Sequence, residues 1–190
     1  MKVPSMTING SARALLGKKG SKVGRREGLI PCVIYTGSQN VHFNTTISDV
    51  RHLVYSPDFK LADIALDGNS FSCIVKEIQF HPVTEAIVHM DFQQLIPDRK
   101  VIVELPLRFR GTSPGVKVGG KLIQNVRKVK VKSLPNHLLN ELIVDISTLE
   151  LGGVIRVRDI DVESGIEIML NPSVPVAQIE IPRALKGGKS

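Results

Sequence analysis

Arg13, Lys18, Lys19, Lys22, Arg25 and Arg26 stand in a run punctuated by Gly17, Gly20, Gly24 and Gly28, which leads directly into the apolar stretch Leu29-Ile-Pro-Cys-Val-Ile-Tyr. Guanidinium groups can take two phosphate oxygens at once, and ammonium groups supply mobile point charge. Glycines at this density leave the backbone free to follow an irregular surface. The segment reads as a cationic loop that becomes ordered against a polyanion, and a nucleic-acid backbone is the polyanion that fits best. Nucleotide hydrolysis is not supported. Gly17-Lys-Lys-Gly-Ser has neither the Gly-x4-Gly-Lys-Ser/Thr spacing nor a preceding buried strand.

A second constellation joins distant residues: Tyr35, then Gln79 and His81 in Ile78-Gln-Phe-His-Pro, then His89 and Asp91 in Val88-His-Met-Asp-Phe. In a strand His89 and Asp91 share one face and Val88, Met90 and Phe92 belong on the inner one. An imidazole, a carboxylate, an amide and a phenol on one exposed sheet surface can hydrogen-bond to unstacked bases and ribose hydroxyls, and the phenol ring can stack. The rival readings are weaker. His81, His89 and Asp91 could form a His-His-carboxylate metal set, but no local spacing such as HExxH accompanies them, and no nucleophile elbow supports a Ser-His-Asp triad. The expectation is a non-enzyme with no catalytic residue, no metal and no cofactor.

The elements that must position these groups are mostly strands. Phe71 to Lys76, Ala86 to Phe92, Val101 to Phe109, Val126 to Lys132 and Val154 to Ile160 show β-branched enrichment or period-two alternation. Asp67-Gly-Asn between two apolar runs is a hairpin turn. Gly111-Thr-Ser-Pro-Gly and Val118-Gly-Gly-Lys read as flexible connections. The clearest helix is Ser48 to Tyr55, with Ser48 as cap and Pro57 as a stop. A short helix is suggested within Leu134 to Ile143, and a basic amphipathic turn around Ala12 to Leu16. The chain therefore reads as mainly β, with its boundary near Gln93 to Arg99.

Length and charge agree. A chain of 190 residues can hold two domains that each bury a core, and its net charge of +7 points to an anionic partner. Six units of that excess lie in the first thirty residues, where seven cations face one acid, Glu27. No apolar run approaches the roughly 20 residues of a membrane span, and the N-terminus has no stretch of signal-peptide length. A cytoplasmic protein is expected, without membrane contact. Cys32 and Cys73 sit in apolar runs and read as buried free thiols. In the second half, Arg108 to Lys132 holds eight cations and no acid, whereas Ser133 to Pro182 holds eight acids and two Arg. This reads as a basic end and an acidic end. Lys128, Lys130 and Lys132 project from one sheet face, as a solvated face or as a second RNA or protein contact.

Thr7-Ile-Asn, Arg13, Gly17-Lys-Lys-Gly-Ser, Arg25-Arg-Glu-Gly-Leu-Ile-Pro-Cys-Val-Ile-Tyr, Gln79-Phe-His-Pro and His89-Met-Asp-Phe resemble the bacterial large-subunit ribosomal protein twenty-five family, which binds 5S ribosomal RNA. Pro106-Leu-Arg-Phe-Arg-Gly-Thr-Ser-Pro-Gly and Ile143-Val-Asp-Ile-Ser-Thr-Leu-Glu-Leu-Gly resemble the extra domain of its longer CTC, or general-stress, form. The resemblance implies an N-terminal small closed β-barrel with a few short helices, here residues 1–94, and a β-rich CTC-type domain, 95–182; past Pro182 the residues lack apolar content and read as a flexible basic tail over 183–190. It implies 5S RNA contact through Arg13, Lys18, Ser21, Lys22, Arg25, Tyr35, Gln79, His89 and Asp91; the reading of the residues adds Lys19, Arg26 and His81.

Two departures stand out. Val23 and Gly24 occupy positions where the family often has Arg and Leu, and a short Lys186-Gly-Gly-Lys replaces the acidic tail of the long form. The partners expected are 5S ribosomal RNA, the large ribosomal subunit and neighbouring ribosomal proteins reached through the second domain. A stress-related adaptor that recruits a protein, with RNA binding secondary, is the alternative.

Overall fold

A computed structural model describes residues 3–13, 17–37 and 39–182. The tail over 183–190 and part of the turn read around Ala12 to Leu16 lie outside them. The chain divides into two compact units, residues 1–101 and 102–190.

The first unit is built from β1 (Ser5–Asn9), β2 (Ser11–Ala12), α1 (Gly17–Arg26), β3 (Leu29–Tyr35), β4 (Asn40–Thr46), α2 (Ile47–Val54), β5 (Leu61–Leu66), β6 (Asn69–Phe80) and β7 (Ile87–Gln94). Its strands form one sheet in the order β1-β5-β6-β7-β3-β4-β2. The two outermost strands belong to one continuous segment. β1 runs parallel to β5, from Ser5 opposite Leu61 to Asn9 opposite Ala65, and two residues later β2 pairs antiparallel with β4, Ala12 opposite Phe43. The segment crosses from one sheet edge to the other, so the sheet closes into a barrel and leaves neither edge unpaired.

Gly10 is the crossing point. Its N–H donates to the Ala65 carbonyl, while a Cβ here would lie 2.5 Å from Leu66 Cδ2 and 2.6 Å from Phe43 Cδ2. Thr45, buried, donates its hydroxyl to the Asn9 carbonyl across the same seam. Inside, Ile8, Ile30, Cys32, Ile34, Phe43, Ile64, Met90 and Phe92 form the core, with the Phe43 and Phe92 rings tilted at 5.8 Å. The Asp67-Gly68 turn forms between β5 and β6 with φ of 46° and 85°, as a two-residue hairpin demands.

Cys32 and Cys73 are free and fully buried. Burial, more than the nearby carboxylates of Asp91 and Asp63 respectively, raises each thiol to about 12. The native state thus prefers the protonated form, and stability from these groups is full below the ordinary thiol value of 9.0 and falls as pH rises from there towards 12. At pH 8 a thiol-disulfide reagent should therefore find no fast-reacting thiol in the folded protein and two after denaturation. A single rapid equivalent in the native state would contradict the burial.

Sequence expectation and structure differ for the helices. The segment from Gly17 to Arg26 is helical rather than a loop. α2 begins two residues earlier than a Ser48 cap requires. Thr46 ends β4 in extended geometry at the N-cap, and its hydroxyl donates to Asp49 Oδ2 at 2.6 Å. Leu134 to Ile143 holds only a 3₁₀ turn over Pro135–His137 before the next strand.

The second unit carries β8 (Val101–Arg110), α3 (Pro114–Lys117), β9 (Lys121–Gln124), β10 (Lys128–Ser133), β11 (Leu142–Asp145), β12 (Val154–Arg156), β13 (Ile166–Ile168) and β14 (Pro175–Glu180). They form a four-stranded sheet, β11-β8-β10-β13, and a three-stranded one, β12-β14-β9. Both connections expected to be flexible are closely packed. Ser113 is buried with its hydroxyl donating to the Leu149 carbonyl, and a Cβ on Gly115 would come within 2.7 Å of the Glu150 carbonyl carbon and 2.8 Å of the Leu151 nitrogen. Glycine here permits close backbone approach, which sequence alone does not separate from mobility.

The charge segregation seen along the second half does not survive in space. Val129 and Val131 face the core and the lysines face out, but β10 lies between β8 and β13, which carry acids. Lys130 Nζ is 3.5 Å from Glu104, and Lys132 stands opposite Glu167. Arg108 pairs with Glu141 at 3.2 Å. The face is a mixed-charge surface rather than a basic strip.

Candidate nucleic-acid interface

The helix α1 forms despite Gly20 and Gly24, each of which costs about 1 kcal/mol against alanine in a helix interior. Two features offset that cost. The first is a brace: the Arg13 guanidinium donates to Ser21 Oγ at 2.7 Å and to the Gly17 carbonyl at 3.3 Å, while Ser21 Oγ donates to the same carbonyl at 2.9 Å. Arg13 is itself anchored by its backbone N–H on the His42 carbonyl. The second is the i, i+4 spacing of the small residues. Gly20, Ser21 and Gly24 are half-buried while Lys18, Lys19, Lys22, Arg25 and Arg26 are exposed, and the helix lies against β3. Gly28, at φ 79°, ends it in the left-handed conformation that commonly closes helices. Arg25 and Arg26 in the last turn suit the helix dipole; Lys18 and Lys19 in the first turn oppose it.

The cations thus divide into two kinds. Arg13 and Ser21 hold the helix. Lys18, Lys22, Arg25 and Arg26 recur at i, i+4, i+7 and i+8, a single outward stripe, with Lys19 beside it. None of these five forms an ion pair among the described residues; Arg25 Nε donates to the Ser21 carbonyl at 3.1 Å.

The barrel supplies the neighbouring polar row. β7 lies between β6 and β3, with His89 opposite Gln79 and Asp91 opposite both Glu77 and Val33. Met90 and Phe92 are in the core, so His89 and Asp91 point outward together. Asp91 Oδ1 is buried without a well-formed hydrogen bond among the described residues; His89 Nδ1, 3.1 Å away, is its close polar neighbour. Tyr35 ends β3 on the same outer side as Asp91. Desolvation, then the nearby charges of Asp91 and Glu77, raise the Tyr35 hydroxyl, so the ring stays a neutral phenol.

His81 is placed differently. It follows β6 in the turn to β7, where Nδ1 accepts from the Val83 and Thr84 N–H groups at 3.3 and 3.2 Å. It organises the turn and stands apart from the His89 row. Gln93 was missed by the sequence reading, although positions 89, 91 and 93 share one period-two face. Lys76 and Arg99 were missed too, because a strand bulge and a loop bring them in. No described His, Cys, Asp and Glu form a group suited to hold a metal ion, and no described helix is long and apolar enough to cross a membrane.

A β-barrel that carries a cationic helix against β3 and is followed by a second β unit is the frame of a two-domain structural ribosomal protein, and family comparison places the chain in that class. Residues 8–92 match the Ribosomal L25p family, and residues 100–183 match the ribosomal protein TL5 C-terminal domain. The large ribosomal subunit protein bL25 of Cytophaga hutchinsonii is 40% identical over 179 residues, covering 94% of this chain and 93% of its own. That of Porphyromonas gingivalis is 40% identical over 182 residues, 95% and 94%, and that of Bacteroides fragilis 35% over 188, 96% and 95%. The chain belongs to the bL25 family of large-subunit ribosomal proteins, in its long, two-domain form. This is a family of structural ribosomal proteins and not of enzymes.

Proposed function

We propose that this protein is a structural constituent of the large ribosomal subunit in the cytoplasm, where its N-terminal domain, residues 1–94, binds 5S ribosomal RNA. The observation that carries the reading is the stripe of Lys18, Lys22, Arg25 and Arg26, unpaired among the described residues, on a helix anchored to the barrel through Arg13, in a unit whose strands also present Tyr35, Gln79, His89 and Asp91 outward. The stripe supplies sequence-independent attraction to phosphates, and the rigid polar row supplies hydrogen bonds at fixed spacing to exposed bases. Arg13 and Ser21 act through the helix they hold. The second unit, whose outward cations meet acids on the same sheet, suits neighbouring ribosomal proteins better than a phosphate backbone.

A gel shift of the full chain with 5S ribosomal RNA and with transfer RNA at matched salt tests the reading. Binding at least tenfold tighter to 5S is expected, and equal affinity for both refutes it. His89→Ala should narrow the gap between the two RNAs, since removing one hydrogen-bonding group from a base contact costs about 1–3 kcal/mol of discrimination. Equal loss for both RNAs would reduce the histidine to a purely structural role.

A further inference from the structure

The polar row of the barrel continues into a pocket of about 290 Å³ lined by Tyr35, Gly37, Gln39, Asn40, Lys76, Gln93 and Arg99. Four strands and two connecting segments meet there. Tyr35 pairs with Asn40 of β4 and with Gln93 of β7, and Gln93 follows His89 and Asp91 on the outer face of β7. Lys76 is the extra residue where the β6–β7 register shifts, Val75 standing opposite Phe92 and Glu77 opposite Asp91. Such a bulge re-aims the side chain it inserts. Here it puts Lys76 Nζ 5.6 Å from the Tyr35 ring centroid. Arg99 reaches in past Gly37, which has φ 92°; a Cβ at that position would lie 3.2 Å from Arg99 Nη1 and 3.3 Å from Ile96 Cδ1. Glycine at 37 is what admits the guanidinium.

The lining chemistry is selective. Two cations, three amides and a phenol ring converge, and no carboxylate is among them. Asp91 and Glu77 act on the Tyr35 hydroxyl through their charge but do not line the pocket. Neither Lys76 nor Arg99 has an ion-pair partner among the described residues. A bare anion would use the cations and leave three amides idle, whereas a neutral ligand would leave two positive charges uncompensated. A nucleotide uses all of them. Amide groups donate to and accept from base edges, guanidinium and ammonium take the phosphate, and the ring gives the base a face to lie against.

We propose that this pocket receives one unstacked nucleotide of the bound RNA, its base beside Tyr35 and edge-on to Asn40 and Gln93, its phosphate on Arg99 and Lys76. The proposal rests on the RNA-binding reading above and extends the contact around the barrel rim, past the His89 row. It assigns function to four residues, Asn40, Lys76, Gln93 and Arg99, that belong to neither the cationic helix nor that row.

The test uses the full chain with 5S ribosomal RNA, filter binding at fixed salt, and chemical probing of the RNA bases in the complex. Arg99→Ala and the nearly isosteric Gln93→Glu, which sets a negative charge among the phosphate contacts, are compared with a Lys22→Ala/Arg25→Ala control on α1, with circular dichroism verifying each fold. Each pocket variant should weaken binding about 5- to 30-fold, within the range of a lost base contact. One unpaired nucleotide protected by the wild type should become reactive while the remaining footprint persists. Wild-type affinity and footprint in both pocket variants, with binding still weakened in the α1 control, would overturn the pocket and leave the RNA reading standing. Uniform fading of every protection would also overturn it, by making Arg99 a general cation. Wild-type protein that prefers 5S no more than transfer RNA would remove both readings together.

Discussion

Replacing Lys22, Arg25 and Arg26 together by alanine should lower the log-log salt slope of 5S ribosomal RNA binding by about 2 to 3 units, since each phosphate contact contributes roughly 0.7 to 0.9. Between 50 and 200 mM salt, wild-type affinity should consequently fall about 20- to 40-fold further than that of the variant. The fold should be unaffected, because all three side chains are exposed and alanine is the better helix former. Arg25→Ala alone should remove close to one unit. Parallel salt titrations of wild type and triple variant would mean that the stripe does not touch phosphate. Arg13→Ala belongs to a separate category: it removes the brace on Ser21 and Gly17, so its loss of affinity should come with loss of helical signal.

The second large effect is on stability. Gly10→Ala should destabilise the barrel by about 2–3 kcal/mol, the upper range for forcing extra volume into a packed interior. The new methyl would press on Leu66 and Phe43, which are both buried, and the backbone at this point is held by the Ala65 carbonyl. For a unit of this size that corresponds to a melting point lower by about 10–20 °C. The transition of the first unit should move and that of the second should not. A thermogram within a degree or two of wild type would show that the crossing accommodates a side chain after all.

Much of the barrel was legible because period-two patterns and turn chemistry are local. Met90 and Phe92 fall inward by alternation alone, Asp67-Gly68 marks its own hairpin, and His89 with Asp91 share one face by the period of two. The helix α1 was not legible, since glycine frequency argues for a loop and the counterweight is tertiary: Arg13, eight residues from Ser21, braces the first turn. Glycine itself carries two opposite messages. At Gly115 it means backbone packed too closely for a Cβ, and nothing in Gly-Thr-Ser-Pro-Gly distinguishes that from freedom. Nor does linear charge predict surface charge, because strand order placed β10 between acids contributed by residues 104 and 167. The pocket beside Tyr35 escaped notice for a related reason: Lys76 arrives by a bulge and Arg99 by a loop, neither of which has a period.

The segment that crosses from β5 to β4 also fixes an order of events during synthesis. Its residues leave the exit tunnel before their partners, which extend to Ala65, and the parallel pairing of β3 with β7 waits for residues near 90. Such distant pairings carry a heavy loop-closure cost and form late. The cationic helix follows the crossing segment in the chain, and its anchor, Arg13, is fixed on β4. On the RNA-binding reading proposed above, a nascent chain therefore holds its positive charge without the geometry to use it until the seam shuts, which delays capture of stray RNA until the whole first unit has been made.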